Sequence, residues 1–410
     1  MRVVGIIAEY NPFHKGHAYH VSMAKKEADA DFVIAVMSGD YVQRGVPAMF
    51  DKYERTLAAL QGGVDLVLEL PVPYATGSSE YFAQGGIRLL EDLSCVDAVA
   101  FGSESASISE LSSYAELFTE EPPEWQEVLK AKLKQGMNYP KARMEAANQI
   151  LGIHSEPDRA GLMKMPNHIL AIEYLKALRQ DGSDIRPIAI RRVGQGYHGD
   201  GVLSEDSEKA YASASSIRES FLHLGQDNKF LQCDAHFMEC FLQKEYLTWD
   251  DFADILSYAL RMHQDNLADF FGVSHDLADR MEKETYSALT FEKLVNRIHS
   301  KNLTDAAIGR ALLHIMLGIT DDMIPKDRRV PYARVLGFRK GASQLLKLLR
   351  DKAEIPVIQK PVQGRNLLTE EARKLYDLDI RTAEIYEQVL ARRARRSPIR
   401  EYSRQQIIVE

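Results

Sequence analysis

The first hundred residues alternate between short apolar runs and longer segments in which apolar positions recur with helical spacing. Four runs rich in β-branched residues predict buried strands at residues 3–8, 32–37, 64–70 and 96–101. Helical patterns separate them at residues 16–28, 51–61 and 78–92. Strands and helices that alternate in this way predict an α/β fold, with a parallel sheet covered by helices on both faces.

The pattern changes further along the chain. A fifth strand is predicted at residues 185–191, and the segment 108–150 before it reads as a helical, largely solvated insertion. From about residue 221 amphipathic helical runs dominate, at residues 247–264, 267–285, 291–298 and 305–317, with one short strand near 355–359. We therefore predict an α/β domain at residues 1–220 and an all-helical domain at residues 221–410.

Composition narrows the class of protein. The chain has 410 residues, of which 45% are hydrophobic and 27% charged, as in globular proteins. No apolar stretch approaches the roughly 20 residues that span a bilayer, and nothing at the N-terminus reads as an export signal. Three widely spaced cysteines support neither a zinc site nor a disulfide framework. We expect a cytoplasmic protein with no membrane partner and no bound structural metal.

Two histidines flank a lysine and a glycine just after the first predicted strand, as His14-Lys15-Gly16-His17. A strand, a short turn and a helix start aim imidazoles and unpaired helix amides at one point, which suits a phosphate. Imidazole donors there would stabilise the charge that builds on phosphorus under attack. The motif predicts nucleotide chemistry at an α-phosphate, although histidine pairs are often purely structural. His20 follows on the same helix, as a surface residue or a further phosphate contact.

A triphosphate needs a second binding element, and the serine-rich segment before Arg218 is the candidate. Ser216 lies in a run of small hydroxyl residues that cap helices well and whose amides can hold a phosphate. The Arg218 guanidinium could pair with the β- and γ-phosphates. An ordinary helix cap beside a surface arginine is the alternative.

Three further positions lie where a nucleotide would rest. Gly102 follows a strand at the carboxyl edge of the predicted sheet, where ligands bind in such folds. Asn167 opens an apolar helix, as its cap or as a ligand of adenine or ribose. Arg192 follows the fifth strand, where solvated arginines are also common.

A polar loop with two glycines, residues 38–45, follows the second strand and suits a substrate contact. Its candidate residues are Asp40, Gln43 and Arg44. Asp51, Lys52 and Arg55 lie on one turn of the next helix, and surface ion pairs are their simplest interpretation.

Basic clusters recur in the second half, although the net charge of the chain is −8. Tyr332, Phe338 and Tyr402 are interleaved with them, an arrangement that suits base stacking together with phosphate contact on RNA. Solvated charged faces are the alternative. The candidate RNA-binding residues are Arg328, Arg329, Arg334, Arg339, Lys340, Arg392 and Arg393.

Over nearly its whole length the chain resembles the bacterial tRNA(Met) cytidine acetate ligases, which are HIGH-type nucleotidyltransferases with a Rossmann-like sheet. The resemblance is strongest at residues 5–17, 39–44, 50–52, 166–167 and 169–171. Val46 departs from the glutamate expected after Gln43-Arg44-Gly45, which leaves the role of that side chain open.

The resemblance implies a reaction and a site. Acetate would attack the α-phosphate of ATP, with Mg²⁺ neutralising the leaving pyrophosphate, and the acetyl group would pass to N4 of the wobble cytidine in the anticodon of elongator tRNA(Met). His14 and His17 would be catalytic. The implied ATP site comprises Ile7, Ala8, Glu9, Tyr10, Asn11, Pro12, Phe13, His14, Lys15, Gly16, His17, Ala18, Tyr19, His20, Gly102, Asn167 and Arg192.

Three other functions fit parts of the pattern. One is an adenylyltransferase that joins AMP to a small phosphorylated cofactor precursor, and another is an enzyme that acetylates a protein-bound cofactor. The third is a non-catalytic RNA-binding protein with a vestigial nucleotide fold. The large helical half argues against the first, and the retained histidines argue against the last.

Overall fold

The computed structural model describes residues 1–103, 107–153, 166–191, 213–223, 235–284, 290–301 and 303–410. In this part of the chain the elements before residue 192 are β1 (Val3–Ala8), α1 (Lys15–Glu27), β2 (Phe32–Ser38), β3 (Tyr41–Val42), β4 (Val46–Pro47), α2 (Lys52–Gln61), β5 (Leu66–Leu70), α3 (Val72–Ala75), α4 (Ser79–Asp92), β6 (Ala98–Ser103), α5 (Ile108–Glu120), α6 (Pro123–Lys134), α7 (Tyr139–Ile150), α8 (Pro166–Gln180) and β7 (Arg186–Arg191).

The later elements are mostly helices. They are α9 (Ala214–His223), α10 (Ala235–Leu242), α11 (Ala253–Met262), α12 (His275–Glu284), α13 (Phe291–Ile298), α14 (Asp305–Leu317), β8 (Ala333–Arg339), α15 (Ser343–Lys352), β9 (Val357–Ile358), α16 (Pro361–Leu367), α17 (Glu370–Arg393) and β10 (Ile407–Val409). Short 3₁₀ helices lie at Trp249–Phe252, Leu267–Asp269, Asp321–Met323, Lys340–Ala342 and Glu401–Ser403.

The described strands form an eight-stranded sheet in the order β10-β8-β5-β2-β1-β6-β7, with β9 paired to β8. β5, β2, β1, β6 and β7 are parallel to one another, while β8 runs antiparallel to β5. α1 and α2 cover one face, where Val4 and Ile6 of β1 lie in their core cluster. The other face packs on α4 and on residues of the second half. The predicted α/β fold with a Rossmann-like parallel sheet is confirmed.

The second half is not all-helical, and this corrects our expectation. β8, β9 and β10 all come from it and extend the sheet of the first half. β8 was missed because Arg334 interrupts its apolar run. That arginine is only 1% exposed, because carboxylates far away in the sequence neutralise its charge inside the core. The short strand expected near residues 355–359 is present as β9.

The insertion at residues 108–150 is helical, as predicted, and exposed residues outnumber buried ones in it, although it also contributes to the core. α5 packs against α8. Leu111, Tyr114, Phe118 and Trp125 belong to the main hydrophobic core. These few large apolar side chains anchor an otherwise mostly solvated insertion to the core.

α14 is tied to two distant segments by the buried His314. Its Nδ1 lies 2.7 Å from the Phe271 carbonyl oxygen, and its Nε2 lies 3.0 Å from the Thr76 hydroxyl. Burial lowers the pKa of this imidazole to about 4. The folded protein therefore holds His314 neutral at a pH where the unfolded chain takes up a proton.

We expect His314 to make the protein less stable as the pH falls from about 6.5 to 4, by roughly 2 to 3 kcal/mol in the free energy of unfolding. The loss arises because only the unfolded state binds the proton in this window. The measurement is the pH dependence of denaturant unfolding for the wild type and His314→Gln, with the exposed His275→Gln as control. A His314→Gln slope that equals the wild-type slope would contradict the assignment.

Candidate functional site

The edge of the sheet at the carboxyl ends of its parallel strands has a switch point between β1 and β6. The chain runs from β1 outward through β2 to β5, and then crosses to β6 and β7 on the other side of β1. Crevices at such points are where ligands bind in open α/β sheets. The predicted site residues Ala8 and Gly102 lie at the ends of these two strands.

The turn between β1 and α1 is held against the segment before α2. Tyr10 has a positive φ of 48°, and the Asn11–Pro12 peptide bond is cis. The Asn11 side chain is buried, and its Oδ1 accepts a hydrogen bond of 2.8 Å from the Met49 amide. This turn brings the chain from the end of a buried strand to the start of a helix within six residues, Glu9 to His14.

His14 is the N-cap residue of α1, and its Nδ1 accepts a hydrogen bond of 3.0 Å from the Gly16 amide. Because Nδ1 accepts, the proton of the neutral ring is on Nε2, which can donate to an anion. The first turn of α1 carries no acidic side chain of its own, and the positive end of the helix dipole lies there.

His17 lies one turn further along α1, and its ring packs on that of His14. The two ring centroids are 3.8 Å apart, with an angle of 32° between the planes. Tyr10 and Phe13 approach the His17 ring at centroid distances of 4.9 and 5.6 Å. The predicted pair therefore forms one fixed unit at a helix N-terminus, a geometry that suits an anion.

The serine-rich segment before Arg218 lies against this turn. Arg218 Nη1 donates to the Asn11 carbonyl oxygen at 2.7 Å, and its Nη2 donates to Ser215 Oγ at 3.1 Å. Arg44 reaches the same Ser215 hydroxyl at 3.4 Å. Ser213 caps α9, since its Oγ accepts from the Ser216 amide at 3.1 Å. Three segments that are far apart in the sequence thus converge at one point.

The predicted substrate loop is a small hairpin rather than an open loop. Its strands β3 and β4 pair antiparallel, and Gly45 at the turn has φ +74°. A Cβ at Gly45 would lie 2.2 Å from the Arg310 backbone nitrogen. Gln43 Nε2 donates to Ser79 Oγ at 3.4 Å, so this side chain points to the start of α4. Val46 is half-buried in β4.

The burial of Asp40 argues against its predicted role as a substrate contact. The side chain is buried, and its Oδ1 accepts from the Lys52 amide at 2.8 Å. Burial raises the pKa of this carboxyl to about 7, with Lys52 opposing the shift. Asp40 is therefore held inside the protein and is not presented to a substrate.

Lys52 lies in a buried charged cluster that the sequence did not reveal. Its Nζ is 2.7 Å from both Glu69 Oε1 and Glu401 Oε1. Arg334 completes the cluster through Glu69 Oε2 at 2.9 Å and Glu401 Oε1 at 2.5 Å. Lys52 and Arg55 are fully buried, so surface ion pairs were the wrong interpretation of these two residues.

The cluster joins the two halves of the chain electrostatically. Burial alone would raise the pKa of the Glu401 carboxyl, but Lys52 and Arg334 hold it well below its usual range. Burial and Arg334 oppose the charge of Lys52, yet the surrounding carboxylates, Glu401 first, raise the pKa of its amine. Each ion is thus stable inside the core only while the others are present.

The predicted RNA-binding residues fall into different environments. Arg334 is not an RNA contact, because it is buried in the charged cluster, and Tyr332 is buried too, donating to Asp379 Oδ2 at 2.6 Å. Arg328 stacks on Tyr81 with 4.2 Å between guanidinium carbon and ring centroid, and Arg329 pairs with Asp92 at 2.5 Å.

Arg339 is half-buried at the end of β8, and the other three candidate cations have acidic neighbours. Lys340 pairs with Glu410, and Arg393 pairs with Asp251 at 2.7 Å. Arg392 lies 3.9 Å from Asp254 and is two-thirds exposed. The predicted basic face is therefore divided among separate patches, and the patches around Arg328, Lys340 and Arg392 reach the surface.

Other predicted positions are placed only in part. Lys15, Ala18, Tyr19 and His20 lie on α1, and Asn167 lies in the first turn of α8. Arg192 lies outside the described residues. Within the described ranges no three His, Cys, Asp or Glu side chains are grouped to hold a metal ion, and no helix has the length and apolar character needed to cross a membrane.

Comparison with known proteins agrees with this geometry. The family model described as HIGH Nucleotidyl Transferase matches residues 1–400. The tRNA(Met) cytidine acetate ligase of Thermoanaerobacter sp. (strain X514) is 37% identical over 394 residues, covering 94% of this chain and 95% of the relative. The ligase of the same name from Acetivibrio thermocellus is 35% identical over 400 residues, covering 94% of both chains.

A crystal structure gives the same result in three dimensions. Thermotoga maritima TmcAL bound with alpha-thio ATP superposes with a TM-score of 0.89 at 28% identity, covering 100% of both chains. The apo form of that protein matches equally well. The chain therefore belongs to the tRNA(Met) cytidine acetate ligases, a family of ligases among the HIGH nucleotidyl transferases.

Proposed function

We propose that this protein uses ATP and acetate to acetylate N4 of the wobble cytidine of elongator tRNA(Met). The observation that carries the proposal is that Arg218 binds the turn leading into the His14–His17 pair, while Arg44 binds the Ser215 hydroxyl of the same segment as Arg218. The names of the relatives, and the ATP analogue bound to the Thermotoga protein, support the same substrates.

The first step is activation of acetate. A carboxylate oxygen attacks the α-phosphorus of ATP, the bond to the bridging oxygen of the β-phosphate breaks, and acetyl-adenylate and pyrophosphate form. His14, through Nε2, and His17 stabilise the extra charge on the α-phosphate oxygens. Arg218 and the N-terminus of α9 hold the β- and γ-phosphates.

Mg²⁺ accompanies the nucleotide in this proposal. Mg²⁺ bound with the nucleotide would supply positive charge that stabilises the leaving pyrophosphate.

The second step is acyl transfer. The cytidine 4-amino group attacks the acyl carbon, AMP leaves, and the amine loses a proton. Acetate and cytidine supply the reacting groups themselves, so the protein has chiefly to position them. The exposed arginines around Arg328 and Arg392 are the candidates for contact with the tRNA backbone.

We expect acetate-dependent exchange of labelled pyrophosphate into ATP by the purified protein. Reversal of the first step incorporates the label, and without acetate no adenylate forms to react with pyrophosphate. A second assay is mass spectrometry of tRNA(Met) for N4-acetylcytidine, with a transcript that carries uridine at the wobble position as the matched control.

Each rival function has its own outcome in these assays. Exchange that is independent of acetate but requires a phosphorylated cofactor precursor would indicate an adenylyltransferase. Binding of tRNA without exchange or acetylation would indicate a non-catalytic RNA-binding protein. Acetylation of the uridine control transcript would exclude wobble cytidine as the acceptor.

A further inference from the structure

Arg55 is a buried cation at the carboxyl edge of the sheet. It lies in the first turn of α2, which Asp51 caps, and its side chain has no exposed surface. In the described part of the chain no carboxylate forms an ion pair with it, so backbone carbonyl groups solvate its charge. Burial is the main influence on its pKa, which it lowers, with Asp40 opposing.

The guanidinium of Arg55 donates to four backbone carbonyl oxygens. Nε donates to Phe50 at 2.9 Å, and Nη1 donates to Glu9 at 2.8 Å and to Ser38 at 3.0 Å. Nη2 donates to Gly39 in a short contact. These carbonyl groups belong to the ends of β1 and β2 and to the segment before α2. A planar fork with five N–H donors can join three segments in this way.

The segment before α2 also holds the turn between β1 and α1 at a second point. Met49 donates its amide to Asn11 Oδ1 at 2.8 Å, next to the Phe50 carbonyl that Arg55 binds. Arg55 thus fixes the turn where it leaves β1, at Glu9, while Met49 fixes it two residues later. His14 and His17 follow directly, and their direction depends on where this turn is held.

We propose that Arg55 is a positioning residue for the adenylation step. It fixes the backbone of the Glu9–His14 turn, so that the two imidazoles and the first amides of α1 meet the α-phosphate. Arg55 itself does not touch the nucleotide. This inference rests on the proposed function, because the step that it positions is activation of acetate with ATP.

The test is Arg55→Lys, which keeps the charge but replaces the fork by one nitrogen that cannot bridge all the segments. We expect the rate of adenylation at saturating ATP and acetate to fall about 100-fold, as for a small misplacement of catalytic groups. The matched control is Leu349→Ala, a core truncation in α15 away from the site. It lowers thermal stability but leaves the adenylation rate unchanged at a temperature where both variants are folded.

A second readout does not depend on activity. Hydrogen–deuterium exchange of the peptide that covers residues 9–17 should become faster in Arg55→Lys, while that of residues 343–352 stays unchanged. In Leu349→Ala, exchange at residues 343–352 should become faster, while exchange at residues 9–17 stays unchanged.

The remaining outcomes overturn the positioning role. One is an adenylation rate that is unchanged in Arg55→Lys, and another is hydrogen–deuterium exchange at residues 9–17 equal to that of the wild type. The third is failure of both Arg55→Lys and Arg55→Gln to fold, which would make Arg55 a residue of general stability. Failure of the proposed function is distinguishable, because the wild type would then show no acetate-dependent ATP–pyrophosphate exchange. Hydrogen–deuterium exchange at residues 9–17 would still test the role of Arg55.

Discussion

His17→Ala is expected to lower acetate-dependent ATP–pyrophosphate exchange by about two to three orders of magnitude, the usual cost of removing one donor that stabilises a transition state. The ring of His17 packs on that of His14 at the N-terminus of α1, where the proposed function has charge develop on the α-phosphate. Because this interaction strengthens as the new bond forms, the loss should be in kcat more than in KM for ATP.

A companion variant separates catalysis from folding at the neighbouring histidine. His14→Asn keeps a good N-cap for α1 but removes the imidazole. We expect it to keep the melting temperature while it loses adenylation, and the exposed His275→Ala should keep both. A His17→Ala enzyme with a wild-type kcat would show that the pair is structural.

Glu401→Gln is expected to lower the free energy of unfolding by about 3 to 5 kcal/mol, the usual cost of removing one partner of a buried ion pair. Glu401 Oε1 lies 2.7 Å from Lys52 Nζ and 2.5 Å from an Arg334 nitrogen, so the amide would leave two buried cations undercompensated. Denaturant unfolding measures the loss, and Glu410→Gln, which alters an exposed pair with Lys340, is the control.

The pH dependence of the stability loss in Glu401→Gln tests whether the loss comes from the carboxylate charge. The folded pKa of Glu401 is depressed, so its stabilising contribution is present above the unfolded pKa and is lost as the pH falls toward the folded value. Glu401→Gln should therefore lose most at neutral pH and least under acid conditions. A deficit independent of pH would point to packing rather than charge.

Local sequence patterns were sufficient to predict the first strands and the turn between β1 and α1. β1 spans the predicted residues, and β2 and β7 differ by one residue at one end. β5 and β6 begin two residues later than predicted. These strands could be predicted because apolar residues predominate in them. The histidine pair could be recognised for a related reason, because the strand, the turn and the helix start that surround it are neighbours in the sequence.

The missed features all depend on partners that are distant along the chain. A buried arginine in β8 looked like an RNA contact until Glu69 and Glu401 were brought beside it. Arg55 looked like a surface residue, because the carbonyl groups that receive its hydrogen bonds carry no sequence signal. The predicted domain boundary near residue 220 failed to anticipate a sheet shared by both halves for the same reason.

The charged cluster also has a consequence for the order of biosynthesis. On the ribosome Lys52 and Glu69 are translated before Arg334 and Glu401, which lie in the second half of the chain. Until Arg334 and Glu401 have been synthesised, the first half of the chain holds an incomplete set of ions. Only the full set makes these ions tolerable inside a core. We therefore expect the first half of the chain to reach its native packing only together with β8 and the segment around Glu401.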